Sequence, residues 1–202
     1  MPEADFFRTI HLKPSKTPCQ RFPERCGRRE VRHIAFDADD TLWEITPHSI
    51  ASSLCPPYKV IDENTVEASS GSCYSPQVPR GWEEPPARRT RVTLKPGVRE
   101  TLKTLKMLGI SASVISLNTP GSVKGLLEAL GLADEFLEIA DTWDAKDKVI
   151  ERQMVKFKVS PCATLFLDDN AGHVGAVSET GALAIQMGVD VKAVAEILDF
   201  LK

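Results

Sequence analysis

The sequence predicts an α/β fold in which five parallel strands form a sheet between two layers of helices. From residue 98 onward, short apolar runs alternate with segments of helical periodicity, a pattern typical of parallel sheets. The run at 163–167 is almost entirely apolar and the run at 31–36 ends in Ile-Ala-Phe, as expected for buried strands. Acidic residues directly follow both runs, at the carboxyl ends of strands, where ligands bind in such folds.

Length and composition fit one globular domain. The chain has 202 residues, 42% of them hydrophobic, and a formal net charge of -3, which is enough apolar material for a core. No basic excess or polybasic tract favours nucleic acid or a membrane as a partner. No window approaches the roughly 18 apolar residues of a spanning helix, and the first ten residues lack the apolar stretch of a signal peptide. We therefore expect a cytoplasmic protein.

The cysteines do not form a recognisable motif. There are five, at positions 19, 26, 55, 73 and 162, and no pair has the close spacing of a zinc or redox site. We therefore expect reduced thiols rather than disulfides or bound zinc.

The first 96 residues are predicted to contain an extension, one strand and an insert. Residues 1–29 contain four prolines and many charges without a sustained period, which predicts an irregular extension before a domain at 30–202. The apolar run at 31–36 is the first predicted strand. The segment at about 44–96 is rich in Pro, Ser and Arg, which predicts an elaborated loop rather than a second core. Within it we expect a hairpin over 58–68, turning at 62–64, and a further strand at 89–94.

The remaining elements follow from periodicity and from Pro and Gly at their boundaries. The predicted helices cover 98–108, 120–131, 146–157, 173–181 and 190–200. The other predicted strands cover 110–116, 135–140, 163–167 and 182–186. Because the carboxyl ends of parallel strands share one edge, the side chains after these strands are expected to meet there.

Four aspartates lie at that edge. Asp37 and Asp39 follow the first strand, and Asp168 and Asp169 follow the fourth. Clustered carboxylates repel unless a cation offsets their charge. Their oxygens suit Mg²⁺, which commonly binds one or two carboxylates together with phosphate. The sequence therefore predicts a magnesium site that also holds a phosphoryl group, and a carboxylate can itself accept that group.

Ser116 and Lys146 complete the predicted site. Ser116 ends the second strand and Lys146 begins a helical segment, so a hydroxyl and a cation could bind phosphoryl oxygens. Each residue alone also has a purely structural explanation, since such a serine often caps a helix and a lysine is often solvated. Lys148 is the alternative to Lys146.

At these residues the sequence resembles the haloacid dehalogenase (HAD) superfamily. "FDADDT" at 36–41 matches its DxDxT motif, Ser116 its second motif, Lys146 its third and "LFLDD" at 165–169 its acidic fourth. Within the superfamily, "FDADDTLW" at 36–43, "CPPY" at 55–58 and "FLDDN" at 166–170 resemble the magnesium-dependent phosphatase family. The resemblance implies a Rossmann-like fold with a short β-hairpin flap in place of a large cap domain.

The resemblance also implies a role for each acidic residue. Asp37 would be the nucleophile that accepts the phosphoryl group, and Asp39 the general acid and then the base. Asp37, the backbone carbonyl of Asp39, and Asp169 would bind Mg²⁺. Asp168 would contact one of these ligands or be the alternative ligand. The sequence suggests no role for the side chain of Asp40.

The expected activity is phosphomonoester hydrolysis through an aspartyl-phosphate on Asp37. Ser116 and Lys146 would bind the transferring group, and Asn118 would contact the substrate. The substrate is expected to be a phosphorylated small molecule or a phosphoprotein, such as a sugar phosphate or phosphotyrosine, and the enzyme a monomer or homodimer. Alternatives are a phosphotransferase, a mutase, an acyl-transfer relative, or a module that binds a phosphorylated ligand without turnover.

Overall fold

The structure is a computed structural model that describes residues 30–70 and 89–201. The predicted irregular extension at 1–29 lies outside the described residues. The strands are β1 (His33–Phe36), β2 (Trp43–Thr46), β3 (Leu54–Asp62), β4 (Thr65–Ser70), β5 (Arg89–Leu94), β6 (Ser111–Leu117), β7 (Ile139–Thr142), β8 (Thr164–Asp168) and β9 (Leu183–Gln186). The α-helices are α1 (Val98–Met107), α2 (Ser122–Ala129), α3 (Lys146–Phe157) and α4 (Ala171–Glu179).

A five-stranded sheet with the order β7-β6-β1-β8-β9 forms the centre of the domain. All of its strand pairs are parallel, so the predicted fold class is confirmed. Side chains alternate between the two faces of a strand, and β1 shows this directly. Ile34 and Phe36 belong to one buried cluster, with residues of α1 and α2. Ala35 belongs to the other cluster, with residues of α3 and α4. Helices therefore cover both faces.

Among the described residues, the insert after β1 forms a second sheet, which contains the predicted hairpin and the strand predicted at 89–94, together with β2. Its four strands are antiparallel in the order β2-β5-β4-β3. Trp43 and Ile45 on β2 and Val92 on β5 are buried in the same cluster as Ile34, so the insert shares the main core. The predicted hairpin is present as β3 and β4, with Asp62 Oδ1 accepting the Asn64 N–H at 2.8 Å in the turn.

Two predicted boundaries are corrected. The third parallel strand is Ile139–Thr142 rather than 135–140, because Phe136 packs edge-on against Phe36 and Leu137 is 61% exposed before the chain joins the sheet. The closing helix predicted at 190–200 is a 3₁₀ helix at Val194–Leu201. Before it, Asp190 caps a turn by accepting the Gln186 N–H at 2.8 Å.

Two cysteines depart from the expectation. Cys55 and Cys162 each form a disulfide, so the prediction of reduced thiols is wrong for these residues. The positions 19, 26 and 73 lie outside the described residues. Among the described residues, no helix is long and apolar enough to cross a membrane.

Candidate active site

Three carboxylates meet at the carboxyl edge of the central sheet. Phe36 pairs with Leu167 in the register of the neighbouring strands β1 and β8, so the next residues, Asp37 and Asp168, emerge side by side. Oxygens of Asp37, Asp168 and Asp169 lie within 4.8 Å of one another. Asp37 and Asp168 are buried and Asp169 is exposed, so the cluster opens to solvent on one side.

Lys146 joins two of these carboxylates. Its Nζ donates to Asp37 Oδ1 at 2.5 Å and to Asp168 Oδ2 at 2.6 Å, and its side chain is 3% exposed. Lys148 lies two residues along α3 and points outward, 62% exposed, beside Glu151. The helix thus brings Lys146 to the cluster and leaves Lys148 in solvent, as helical periodicity requires.

The charges of the cluster are not balanced by Lys146 alone. Burial raises the pKa of Asp37 to about 8, and Asp168 acts in the same direction, although Lys146 opposes them. Burial and the nearby Asp168 also raise the pKa of Asp169. Burial disfavours the charge on Lys146, but Asp37 and Asp168 together raise its pKa. Among the described residues the carboxylates of the site outnumber its cations, and such a set of oxygen donors fits Mg²⁺.

Asp168 and Asp169 differ in how many of their carboxylate oxygens already accept hydrogen bonds. Asp168 Oδ2 accepts from Lys146 at 2.6 Å, and its Oδ1 accepts the Asn170 N–H at 2.8 Å. Both oxygens of Asp168 are thus in use, whereas Asp169 faces solvent. This difference favours Asp169 as the metal ligand and Asp168 as the residue that holds Lys146.

The carboxylate of Asp39 is bound by three N–H groups. Its Oδ1 accepts from the indole of Trp43 at 2.8 Å. Its Oδ2 accepts from Asn118 Nδ2 at 2.9 Å and from the backbone N–H of Ala51 at 3.1 Å. Ala51 belongs to the 3₁₀ turn Ala51–Ser53 of the insert, so the insert contacts the site directly.

Ser116 and Asn118 lie at and just beyond the end of β6, and both are buried. Asn118 Nδ2 donates to Ser116 Oγ at 2.8 Å, and Asn118 Oδ1 accepts the Ser52 N–H at 3.1 Å. The hydroxyl of Ser116 accepts that bond, so its own hydrogen can still be donated. The amide of Asn118 is bonded within the protein, and its predicted contact with substrate stays a prediction.

Asp40 connects the site to the insert. Its backbone is left-handed, with φ 58°, a conformation that Asp tolerates better than most residues. Its carboxylate lies 3.1 Å from His48 Nε2, and its carbonyl oxygen accepts from Lys95 Nζ. His48 follows β2 and Lys95 follows β5, so Asp40 holds the two strands of the insert that adjoin the site.

Two residues lie near the site although the sequence suggests no role for either of them. His173 Nδ1 lies 3.3 Å from Asp168 Oδ2; its position in the first turn after the acidic motif was the available signal. Asp141 on β7 accepts backbone N–H groups at the start of α2, from Gly121 at 3.2 Å and Lys124 at 3.0 Å. Asp141 is not recognised from the sequence, because the third strand is predicted to end at residue 140, before Asp141.

Residues 63–186, more than half of the chain, match the family model of the haloacid dehalogenase-like hydrolases. The chain belongs to this family. The match begins after the insert's first hairpin strand, so it leaves out Asp37 and Asp39, but it includes Ser116, Lys146 and Asp169. The resemblance expected from the motifs is thus confirmed for the superfamily, and this haloacid dehalogenase-like hydrolase is an enzyme of the hydrolase class. The narrower likeness to magnesium-dependent phosphatases stays a prediction.

Solved structures share the fold of this hydrolase. A Had-superfamily hydrolase from Ehrlichia chaffeensis is 17% identical, with a TM-score of 0.58, covering 87% of this chain and 98% of that one. A predicted phosphoglycolate phosphatase from Haemophilus somnus is 15% identical, with a TM-score of 0.57, covering 85% and 98%. The N-terminal part of BF1531 from Bacteroides fragilis, containing a phosphatase domain complexed with Mg, is 19% identical, with a TM-score of 0.51, covering 85% and 39%. No match was found among curated proteins.

Proposed function

We propose that the protein is a magnesium-dependent phosphatase that hydrolyses phosphomonoesters through an aspartyl-phosphate on Asp37. The observation that carries the proposal is the position of Asp37, which is buried at the strand end with Lys146 Nζ 2.5 Å from its Oδ1 and two further carboxylates beside it. A nucleophilic carboxylate meets an anionic substrate only if nearby cations offset the repulsion. The proposal is supported by two of the similar structures, a predicted phosphoglycolate phosphatase and a phosphatase domain complexed with Mg.

Each side chain has a proposed part in the reaction. Asp37 attacks phosphorus, and Lys146 and the Ser116 hydroxyl bind the transferring oxygens. Asp39 gives a proton to the leaving oxygen and later takes one from water. Asp37, the Asp39 carbonyl and Asp169 would hold Mg²⁺, which when bound would offset the charge of the phosphoryl group.

The nucleophile is tested with the Asp37→Asn variant on 4-nitrophenyl phosphate in the presence of Mg²⁺. We expect activity to fall to about a thousandth of wild type or less, because the amide is a poor nucleophile. Full activity in this variant would exclude the aspartyl-phosphate, and turnover that survives EDTA would exclude the metal. Measuring inorganic phosphate separates a phosphatase from a phosphotransferase or mutase, which keeps the phosphoryl group on an organic acceptor.

The two candidate lysines form a matched pair of variants. Lys146→Ala removes the cation that contacts Asp37 and Asp168, so we expect kcat to fall by about 100-fold or more. Lys148→Ala removes a solvated charge of the same helix and should change kcat less than about twofold. Both variants are assayed on the same substrate with saturating Mg²⁺. Equal losses in the two would contradict the proposed role of Lys146.

The substrate and the cellular location are proposed in general terms. The substrate is a phosphorylated small molecule or a phosphoprotein, with sugar phosphates and phosphotyrosine as the first compounds to assay. A cytoplasmic location, the absence of nucleic acid and membrane partners, and a monomeric or dimeric state remain predictions. The disulfides at Cys55 and Cys162 are unusual for a reducing compartment, so cell fractionation with thiol labelling is the direct test of location.

A further inference from the structure

We propose that Trp43, Asn118 and the turn Ala51–Ser53 are positioning elements that make Oδ1 of Asp39 the proton-transfer atom. The inference rests on the proposed function, since it concerns the acid and base of that reaction. It starts from the three N–H groups on one carboxylate: the Trp43 indole on Oδ1, and Asn118 and Ala51 on Oδ2.

The two oxygens of Asp39 differ in how many acceptor positions remain. A carboxylate oxygen offers two lone-pair directions. Oδ2 uses both, at 2.9 Å from Asn118 Nδ2 and 3.1 Å from Ala51 N. Within residues 30–70 and 89–201, Oδ1 uses one, at 2.8 Å from Trp43 Nε1, and retains one. A proton that reaches or leaves Asp39 without breaking these bonds therefore does so at Oδ1.

Trp43 is held in place by local backbone structure and by packing. The Leu42 N–H donates to the Ala38 carbonyl at 2.8 Å, and this tight turn brings the indole back to Asp39, four residues earlier. The ring is fully buried in the core shared by both sheets. An indole N–H can only donate, so Asp39 Oδ1 must be the acceptor and the orientation of the carboxylate is defined.

Asn118 connects the acid to the phosphoryl-binding side of the site. Its two amide hydrogens go to Asp39 Oδ2 at 2.9 Å and to Ser116 Oγ at 2.8 Å. Its oxygen accepts the Ser52 N–H at 3.1 Å. Because a backbone N–H cannot accept, the amide has one orientation that satisfies all three contacts. Two successive N–H groups of the insert, Ala51 and Ser52, thus bind the acid and the residue that orients it.

The proposed proton path balances. In the first step Asp37 attacks phosphorus, the bond from phosphorus to the ester oxygen breaks, and the proton on Asp39 Oδ1 passes to that oxygen. In the second step a water oxygen attacks phosphorus, one water proton passes to Asp39 Oδ1, and the bond from phosphorus to Asp37 breaks. Inorganic phosphate leaves with the other water proton, and both aspartates return to their starting states.

The decisive experiment compares two aryl phosphates of similar shape. Phenolate resembles the tyrosine leaving group, with a pKa of about 10, and needs a proton as it departs, whereas 4-nitrophenolate is a weak base that needs little assistance. In Trp43→Phe, which keeps an aromatic ring but removes the N–H, we expect the ratio of kcat/KM on 4-nitrophenyl phosphate to that on phenyl phosphate to rise about tenfold. The parameter kcat/KM reports the step in which the ester bond breaks.

Further variants keep the outcome interpretable. Asp39→Asn should give the largest rise in the same ratio. Asn118→Ala should also raise the ratio and should in addition lower the activity on both substrates, because Ser116 loses its partner as well. Trp143→Phe is the matched control, since Trp143 is 64% exposed just after β7, and should leave the ratio at the wild-type value. Circular dichroism melts establish that each variant is folded.

The outcomes separate the two proposals. An unchanged ratio in folded Trp43→Phe, with both substrates slowed equally, would overturn the positioning role while leaving the phosphatase intact. If Trp43→Phe does not fold, an unchanged ratio in Asn118→Ala overturns it instead. Full activity of Asp37→Asn would remove the proposed function itself, whatever the ratio.

Discussion

At the scale of single residues, three neighbouring acids have three different sets of partners. Asp37 is buried against Lys146, Asp39 accepts from three N–H groups, and Asp40 turns towards His48 through a left-handed backbone. Repulsion between like charges falls when each has its own donors. The crowding that looks costly in the sequence is thus relieved by sending each side chain to a different element.

His33 is a buried titratable group on the same strand as the site. Its Nδ1 lies 2.8 Å from Ser111 Oγ and its Nε2 2.9 Å from Ser113 Oγ, and its ring lies against Phe157. Burial lowers the pKa of His33 to about 4. The folded protein therefore keeps this imidazole neutral at pH values where the unfolded chain, with a pKa of about 6.5, binds a proton.

This difference predicts a pH-dependent stability. Because the unfolded state binds more protons between pH 6.5 and 4, the contribution is complete above pH 6.5 and is lost as the pH falls towards 4. We expect the slope due to His33 to amount to about 2 kcal/mol in the free energy of unfolding between pH 7 and 5. Urea titrations at both pH values measure it, and His33→Gln should lack it. His48→Gln, at an exposed histidine, is the matched control and should keep the wild-type slope; a slope in His33→Gln equal to that of wild type would contradict the argument.

At the scale of elements, a strand of the sheet caps a helix that leads away from the site. Asp141 on β7 accepts N–H groups of Gly121, Val123 and Lys124 at 3.2, 3.3 and 3.0 Å. These donors would otherwise lack partners, because the first turn of a helix has none within it. Burial raises the pKa of Asp141 although the three N–H groups oppose this. The cap thereby holds the loop that carries Asn118 against the sheet.

Removing this cap should destabilise the protein measurably. We expect Asp141→Ala to lower the free energy of unfolding at pH 7 by about 1–2 kcal/mol, as for other capping residues. Asp144→Ala removes a nearby acid that pairs with exposed Arg152, and should cost less than about 0.5 kcal/mol. Denaturant unfolding of both variants gives the comparison. Similar losses in the two would show that the bonds of Asp141 to α2 contribute little.

At the scale of the whole molecule, local patterns predict the parallel sheet and three strands of the insert, but not β2 or the order in which the strands of the insert pair. The strand β8 is largely apolar, and β6, β7 and β8 are each followed by an α-helix, so the pattern lies within a short window. The insert pairs Trp43–Thr46 with Arg89–Leu94, which are far apart in sequence, and β2 has only four residues in which alternation can show. Pairing between distant short strands leaves almost no local signal.

In the candidate site, too, one part can be predicted from the sequence and another part cannot. Asp37 and Asp168 could be placed together from the sequence, because adjacent parallel strands bring the residues that follow them to one edge. The bonds of Asp39 to Trp43 and Asn118 could not, since they depend on side-chain directions in a turn and on contact with the insert. Sequence position therefore predicts which residues gather, and packing decides which of them are bonded to each other.

Folding of the whole chain should be linked to magnesium. The folded protein gathers Asp37, Asp168 and Asp169 within 4.8 Å, whereas the unfolded chain separates the first from the others, so a cation that binds the cluster stabilises the folded state alone. At a Mg²⁺ concentration of 100 times Kd the gain is about 2.7 kcal/mol, seen as a higher melting temperature in Mg²⁺ than in EDTA. Asp169→Asn, at the exposed residue proposed as a ligand, should abolish most of this difference, whereas Asp134→Asn, at an exposed acid away from the cluster, should preserve it. Calorimetry detects this Mg²⁺-dependent rise in melting temperature without substrate. If Mg²⁺ raised the melting temperature of both variants equally, the cation would bind elsewhere, even if the enzyme were active.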